Sequence, residues 1–292
     1  MRFILIFIVL NVFGPLRSQT AKDSVESIFS SQRFTLTTTG IGLTSIGSIY
    51  SLNKLWYSNE NQSSFHLFND SKNWMQMDKM GHAFTVYHLT RGLNEIYTWT
   101  GLSQKKSLWT AAGISMGYLS AIEILDGFSE TWGFSLSDMA FNTLGMGLYL
   151  FQEHYFQRQI FKPKFSFHQT RFAEQRPDVL GNNFIESLLK DYNGQTYWLS
   201  FSPFQLGVQQ WPNWLMLSFG HSIRGRLKGD APIYEGIESH RELLFSLDID
   251  LSQISVKSKL LKSFLEALNT LKLPFPSILY TNGKLTARPL YF

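Results

Sequence analysis

A chain of 292 residues that is 44% hydrophobic, 15% aromatic and only 16% charged can fill one large core or two smaller ones, and is poor in charge for a soluble protein. Its formal charge of +4 is spread singly, with only short pairs such as Lys105-Lys106, so the basic stripe that nucleic-acid binding requires is missing. A cysteine count of zero excludes disulfides, thiolate metal sites and a cysteine-linked lipid anchor.

Residues 1–18 read as a secretory signal: Arg2 is the positive start, Phe3 to Phe13 the apolar region, and a polar stretch begins at Arg17. Cleavage after Ser18 is the expectation, although Leu16 is larger than the small residue usual three places before a cut; an uncleaved anchor is the rival. Residues 19–160 are expected to form a helical bundle. Thr35 to Leu52 reads as its first helix, and Gly40, Gly42 and Gly47 within it imply close packing or a lipid setting, because glycine weakens a water-exposed helix by about 1 kcal/mol relative to alanine. Ser58 to Lys72 reads as an exposed loop. Asp78 to Thr98 is the second helix, ended at Thr100-Gly101. The third, Ser107 to Leu125, carries Gly113, Gly117 and Ala121 every four residues, which predicts a flat packing face. Ser135 or Ser137 caps a fourth helix running to about Phe156, with Asp138 in its first turn, where negative charge suits the helix dipole.

Beyond Pro163 the pattern changes, and residues 161–292 are expected to form a smaller mixed α/β part. Lys164 to Gln169 and Trp214 to Ile223 read as strands. Arg241 to Ser252 alternates, with Leu243, Phe245, Leu247, Ile249 and Leu251 on one side. Lys257 to Leu271 is amphipathic at helical spacing, and Asn282-Gly283 is a strong hairpin signal. Lys190 to Trp198, dense in turn formers and aromatics, reads as a loop, either plain or used in recognition or at a membrane interface. The terminal Leu290-Tyr291-Phe292 resembles the end of an outer-membrane barrel strand, but alternating segments are too few for a barrel. The fold class is therefore α+β: an N-terminal four-helix, membrane-like bundle followed by the mixed C-terminal part.

The chemistry-bearing residues fall on three successive apolar segments. Asp78 and His82 share a helix face, where a carboxylate can hold an imidazole proton in an acid–base or metal-binding pair; a capping Asp and a satisfied core His explain the spacing equally. Lys79 reads as a solvated neighbour. Glu123 lies near the end of an uncharged run, so its burial requires either a partner such as His82 or Arg91, or a raised pKa. Asp126 shapes the turn at Gly127 or joins the site. Asp138 and Asn142 are again four apart, on a face continued by Gly145 and Tyr149; Asn142 could give an oxygen ligand or position a substrate group. Arg91 is a candidate anion binder. His88, Asn94 and Glu95 fall largely on other helix faces, and His154, His168, His221 and His240 are scattered.

The series Asp78-Lys79 with His82, an acidic residue at the end of the next helix, then Asp138 with Asn142 and Gly145 resembles the VanZ-like motifs. More closely, Met77 to Tyr149 is similar to the YfiM-like family of bacterial envelope proteins, a family of unknown function. The strings Tyr118 to Glu123, Asp126 to Ser129, Trp132 to Ser135 and Lys190 to Ser200 are similar to its larger Gram-negative members. The resemblance implies an envelope location and a helical core but no established reaction. VanZ-like proteins are usually more hydrophobic and often carry Gln near the position of Asp126.

Together these readings predict an exported, membrane-associated envelope protein of the periplasm or outer membrane. Its Asp/His/Glu/Asn cluster would bind a polar or lipid head group or stabilise the bundle. The alternative is a metal-assisted or acid–base hydrolase of an envelope lipid or cell-wall precursor. In that case Asp78 orients His82, and Glu123, Asp138 and Asn142 act as oxygen ligands or general base for a hard divalent cation. The expected partners are a membrane lipid or envelope component, not nucleic acid.

Overall fold

The computed structural model describes residues 29–54 and 61–292; the expected signal segment lies outside them. The fold is mixed α and β. The chain divides into two compact units, one of residues 72–84 and 156–292, the other of the described residues up to 71 and 85–155.

The helical unit contains α1 (Ser31–Leu52), α2 (Met77–Trp99) from Thr85 onward, α3 (Gln104–Gly127) and α4 (Leu136–Phe156). Helix ends follow local chemistry. Ser30 Oγ caps α1 by accepting from Arg33 N–H, and Ser135 Oγ caps α4 by accepting from Asp138 N–H at 3.0 Å. Val86, Leu93 and Tyr97 of α2 pack with Ala111, Leu119 and Ile122 of α3, while Phe34, Ile41 and Ile49 of α1 join from one side. The close packing expected at the helix glycines is not found among the described residues. Gly113 and Gly117 are exposed, and a β-carbon added at either, or at Gly40, Gly42 or Gly47, would meet nothing within 4 Å. The buried face of α3 is instead the one carrying Leu108, Ala112, Leu119 and Ile122, because larger apolar side chains bury more area than a glycine stripe.

The other unit is built on a six-stranded antiparallel sheet. Its strands are β1 (Phe161–Phe167), β2 (Gln195–Phe201), β3 (Leu215–Arg224), β6 (His240–Ile249), β7 (Phe275–Thr281) and β8 (Lys284–Tyr291), in the order β1-β2-β3-β6-β7-β8. A small ribbon of β4 (Ile233–Tyr234) and β5 (Ile237–Glu238) lies between β3 and β6 in the chain. Three short helices, α5 (Phe172–Gln175), α6 (Pro177–Leu180) and α7 (Phe184–Lys190), link β1 to β2. The amphipathic α8 (Lys259–Leu268) precedes β7. Asn282 and Gly283, with φ of 47° and 77°, turn the chain between β7 and β8, the left-handed pair that a two-residue hairpin requires. The loop expected over Lys190 to Trp198 is corrected in its second half: Gln195 starts β2, which pairs with β1 and β3.

Sidedness in this sheet is reversed from that of a soluble protein. Along β6, Glu242, Leu244, Ser246 and Asp248 are buried while Arg241, Leu243 and Phe245 are exposed. The register places Thr196, Trp198 and Ser200 of β2 and Ser218, Gly220 and Ser222 of β3 on that same inner side. Trp198 lies flat across Gly220, where a β-carbon would come within 2.7 Å of the ring, and donates from Nε1 to Ser166 Oγ at 2.9 Å. The sheet curls enough for Tyr291, at the end of β8, to reach Thr196 of β2 at 3.2 Å. Inside the curl, Lys164 and Asp248 form a fully buried ion pair at 2.7 Å, extended by Ser200 and Ser218 and by Asn269, which accepts from Lys164 at 2.8 Å.

Candidate functional site

In the helical unit, the carboxylates of Asp70 and Glu123 meet at one serine, which also caps the backbone N–H of Asp138. Ser135 donates its backbone N–H to Glu123 Oε2 (3.3 Å) and its hydroxyl to Asp70 Oδ1 (2.5 Å), while capping Asp138. Ser137 adds a second hydroxyl to Asp70 at 2.8 Å. The arrangement is local in origin. Segment 61–68 pairs with 127–134 through bridges Gln62 to Ser129 and Leu67 to Phe134, which carries Asp70 to the start of α4. Glu123 stands one turn before the end of α3, on the buried side.

The buried stripe of α4 is Asp138, Asn142, Gly145, Tyr149, Gln152 and Glu153, at helical spacing and almost wholly polar. Its exposed side carries Leu136, Leu144, Phe151 and Tyr155. Tyr149 accepts from Asn94 Nδ2 at 3.0 Å, so Asn94 of α2 belongs to this polar interior as well. Asp126 is half-buried at the end of α3, where its carbonyl accepts from Ser129 N–H at 3.0 Å. Arg91 holds Glu95 at 3.0 Å on the same helix.

In the other unit, Asp78 and His82 occupy one side of the first turns of α2, with His82 Nε2 4.0 Å from Asp78 Oδ2. Two further groups meet Asp78. Lys79, expected to be solvated, is fully buried with Nζ 3.3 Å from Asp78 Oδ2, because this end of α2 is embedded and an ammonium there needs a carboxylate. Tyr192 donates its hydroxyl to Asp78 Oδ1 at 2.7 Å. The approach to Asp78 is strained: Trp74, Met75 and Gln76 all have left-handed φ, at 48°, 49° and 68°. The turn is held by Trp74 N–H donating to Gly229 O (2.8 Å), by the Trp74 ring against Tyr192, and by Arg241 donating to Gln76. Gly229 lies close to the ring: a β-carbon there would stand 3.1 Å from Trp74 Nε1, so the indole would have to give by a few tenths of an ångström.

Sequence reasoning named Asp78, His82, Glu123, Asp138 and Asn142, all buried or nearly so. It missed Asp70, hidden in a polar loop, and Tyr192, which is 114 residues from its partner. The capping pattern at Ser135 was the available signal for the first.

Residues 66–154 match the model of a family described as predicted periplasmic lipoprotein (DUF2279). The description accords with an exported, envelope-associated protein. The matched segment runs from His66 through α4, and so takes in Asp70, Glu123, Ser135 and Asp138 as well as Asp78 and His82. No curated protein and no solved structure is found to match the chain.

Proposed function

We propose that the protein is a membrane-associated component of the cell envelope, with α1–α4 forming a four-helix bundle whose interior polar residues bind a polar or lipid head group. The observation that carries this reading is α4. Its buried stripe is Asp138, Asn142, Gln152 and Glu153, while Leu136, Leu144 and Phe151 face outward. Water would favour the opposite arrangement; lipid favours this one. α3 supports it, being the one helix among the described residues that is long and apolar enough to cross a membrane. The YfiM-like and VanZ-like resemblance belongs to the same proposal.

The site within it is Glu123, Asp138 and Asn142, joined through Ser135 to Asp70, with Asp126 and Arg91 as outer binding residues. Carboxylate oxygens gathered in this way suit the ammonium of a head group or a hard divalent cation. Membrane fractions washed with carbonate test the first half of the proposal, and release of the protein into the soluble fraction overturns it. Head-group binding by Glu123→Gln and Asp138→Asn variants in detergent tests the second. Folded variants that bind anionic and zwitterionic lipid as the parent does would remove the site.

A second reading is favoured by Asp78 and His82: metal-assisted or acid–base hydrolysis of an envelope lipid or cell-wall precursor. In the sheet unit Asp78 would orient His82 as base, and within the helical unit Glu123 and Asp138 would be the oxygen ligands for magnesium or manganese. It predicts bound metal in the purified protein, lost in Asp138→Asn, and hydrolysis abolished in a folded His82→Gln variant. Metal-free protein with no hydrolytic activity removes this reading alone.

A further inference from the structure

We propose that the outward face of the six-stranded sheet, together with the outward side of α8, is a lipid-contacting surface whose occupant is the acyl region of a bilayer with anionic head groups. This goes beyond the membrane contact proposed for the helices, since it assigns a separate contact to the other unit.

Three features of that unit lead to it. First, the sheet exposes its apolar side over successive strands: Phe219 of β3 is 52% exposed, Leu243 of β6 50%, Ile278 of β7 48% and Leu285 of β8 73%, while Ser200, Ser218 and Asp248 on the other side are fully buried. Phe161, Phe201, Phe219 and Phe245 form a row across four strands, with neighbouring ring centroids 5.4, 6.2 and 5.2 Å apart. A contiguous apolar patch of this kind is unfavourable in water, whereas apolar outside and polar inside is the pattern of a lipid-facing sheet.

Second, α8 is turned the same way. Leu260, Leu261 and Phe264 are exposed, while Lys262 and Glu266 pair on its inner side at 3.8 Å. An amphipathic helix with its apolar face outward suits a membrane interface. Third, the charges fit. At one end of the strands, Arg241 on the apolar side and Arg224 and Lys284 on the other side are exposed at the ends of β6, β3 and β8, where long basic side chains reach phosphate groups above buried acyl chains. The open part of this apolar side runs along β6 from Leu243 and along β7 and β8, while towards β1 and β2 it is covered, with Phe84 packed on Phe165 and Tyr197.

The absence of native cysteine makes the test direct. Single variants Phe245→Cys, Ile278→Cys and Leu260→Cys of the full chain are labelled with an environment-sensitive fluorophore and reconstituted into phosphatidylethanolamine–phosphatidylglycerol vesicles. Leu144→Cys on α4 reports the helical unit, and Asp230→Cys reports an aqueous loop. The expected result is loss of fluorescence to acyl-chain nitroxides, but not to aqueous iodide, at the three sheet-unit sites, with the reverse at residue 230. Neutralising Arg224 and Lys284 to Gln should weaken binding to anionic vesicles roughly fivefold each, from ~1 kcal/mol per basic residue near such a surface. Iodide quenching at positions 245, 278 and 260 with nitroxide quenching at position 144 overturns this inference and leaves the helical proposal standing. Iodide quenching at all four overturns both. Cross-linking of position 245 between copies, without nitroxide quenching, overturns it in favour of a second copy of the chain.

Discussion

Lys164 and Asp248 of the sheet unit neutralise each other at 2.7 Å inside the curl, whereas in the helical unit Asp70, Glu123 and the capped Asp138 converge on Ser135. Both units turn polar groups inward, but by different chemistry. An ion pair whose ammonium also reaches Ile249 O and Asn269 ties β1 to β6 and serves to hold the sheet in shape. Carboxylates gathered on hydroxyl and amide donors present oxygen atoms to one small volume, which is the chemistry of a binding site. The contrast makes the first a structural device and the second the place to look for function.

The largest expected effect breaks the sheet-unit side of this contrast. Lys164→Met leaves Asp248 charged and buried without its ammonium, a loss of ~3–5 kcal/mol in unfolding free energy by urea titration. The double variant Lys164→Met/Asp248→Leu should recover most of it. If the single variant costs no more than a surface substitution, the pair is not the structural device described.

Next comes acid. Burial pushes Asp250 up, but the Lys162 ammonium at 2.7 Å, hydrogen bonds from Lys162 and Ser252, and the charge of Lys164 outweigh it and bring its pKa to about 2 from an ordinary 3.8. A carboxyl held below its unfolded value contributes stability that is full above about pH 4 and lost as pH falls towards 2. At ~1.36 kcal/mol per unit the loss is about 2.5 kcal/mol. Asp250→Asn should flatten that limb of the pH–stability curve, and an unchanged curve contradicts the pairing.

Tyr192→Phe removes the hydroxyl that Asp78 accepts at 2.7 Å, at an expected cost of about 1.5 kcal/mol for a bond to a charged group. The readout that sharpens the site is the NMR chemical shift of the His82 ring. With one donor gone, the Asp78 carboxylate readjusts between Lys79 at 3.3 Å and the imidazole at 4.0 Å, and the ring signals move. Unmoved signals would separate His82 from Asp78.

How far the sequence reveals these features differs between the units. The long helices were readable, since capping serines and apolar spacing act within a few residues: Asp78 to Thr98 against Met77–Trp99, and Ser135 as the cap of α4. The stripe Asp138, Asn142, Gly145, Tyr149 was readable for the same reason. In the sheet, alternation along Arg241 to Ser252 identified β6, but a period of two defines two faces without saying which is buried. Leu243 and Phe245 stand on the apolar side of that alternation, yet they are exposed and Ser246 and Asp248 are inside. β2 was obscured by the turn formers before it, although Tyr197, Leu199 and Phe201 alternate with Thr196 and Ser200. The contacts of Asp70 with Ser135 and of Tyr192 with Asp78 arise from chain folding over 65 and 114 residues, which local pattern does not encode.

The smallest effect tests the helical-unit side. Ser135→Ala removes one hydroxyl and leaves the backbone N–H, so the contact with Glu123 at 3.3 Å survives, and Ser137 still holds Asp70 at 2.8 Å. What is lost is the cap on Asp138 N–H, typically ~1 kcal/mol. If Ser135 only caps a helix, Ser135→Ala lowers stability by that amount and leaves head-group affinity unchanged. If it sets the spacing of the Asp70 and Glu123 carboxylates, affinity falls by more than the stability loss explains. Ser135→Asp then separates the two roles, because aspartate caps well but adds a negative charge among Asp70, Glu123 and Asp138: stability tolerates it only when a cation is supplied. Calcium or magnesium that stabilises Ser135→Asp more than the parent protein would show the cluster to be a cation or head-group site, and equal stabilisation would show that it is not.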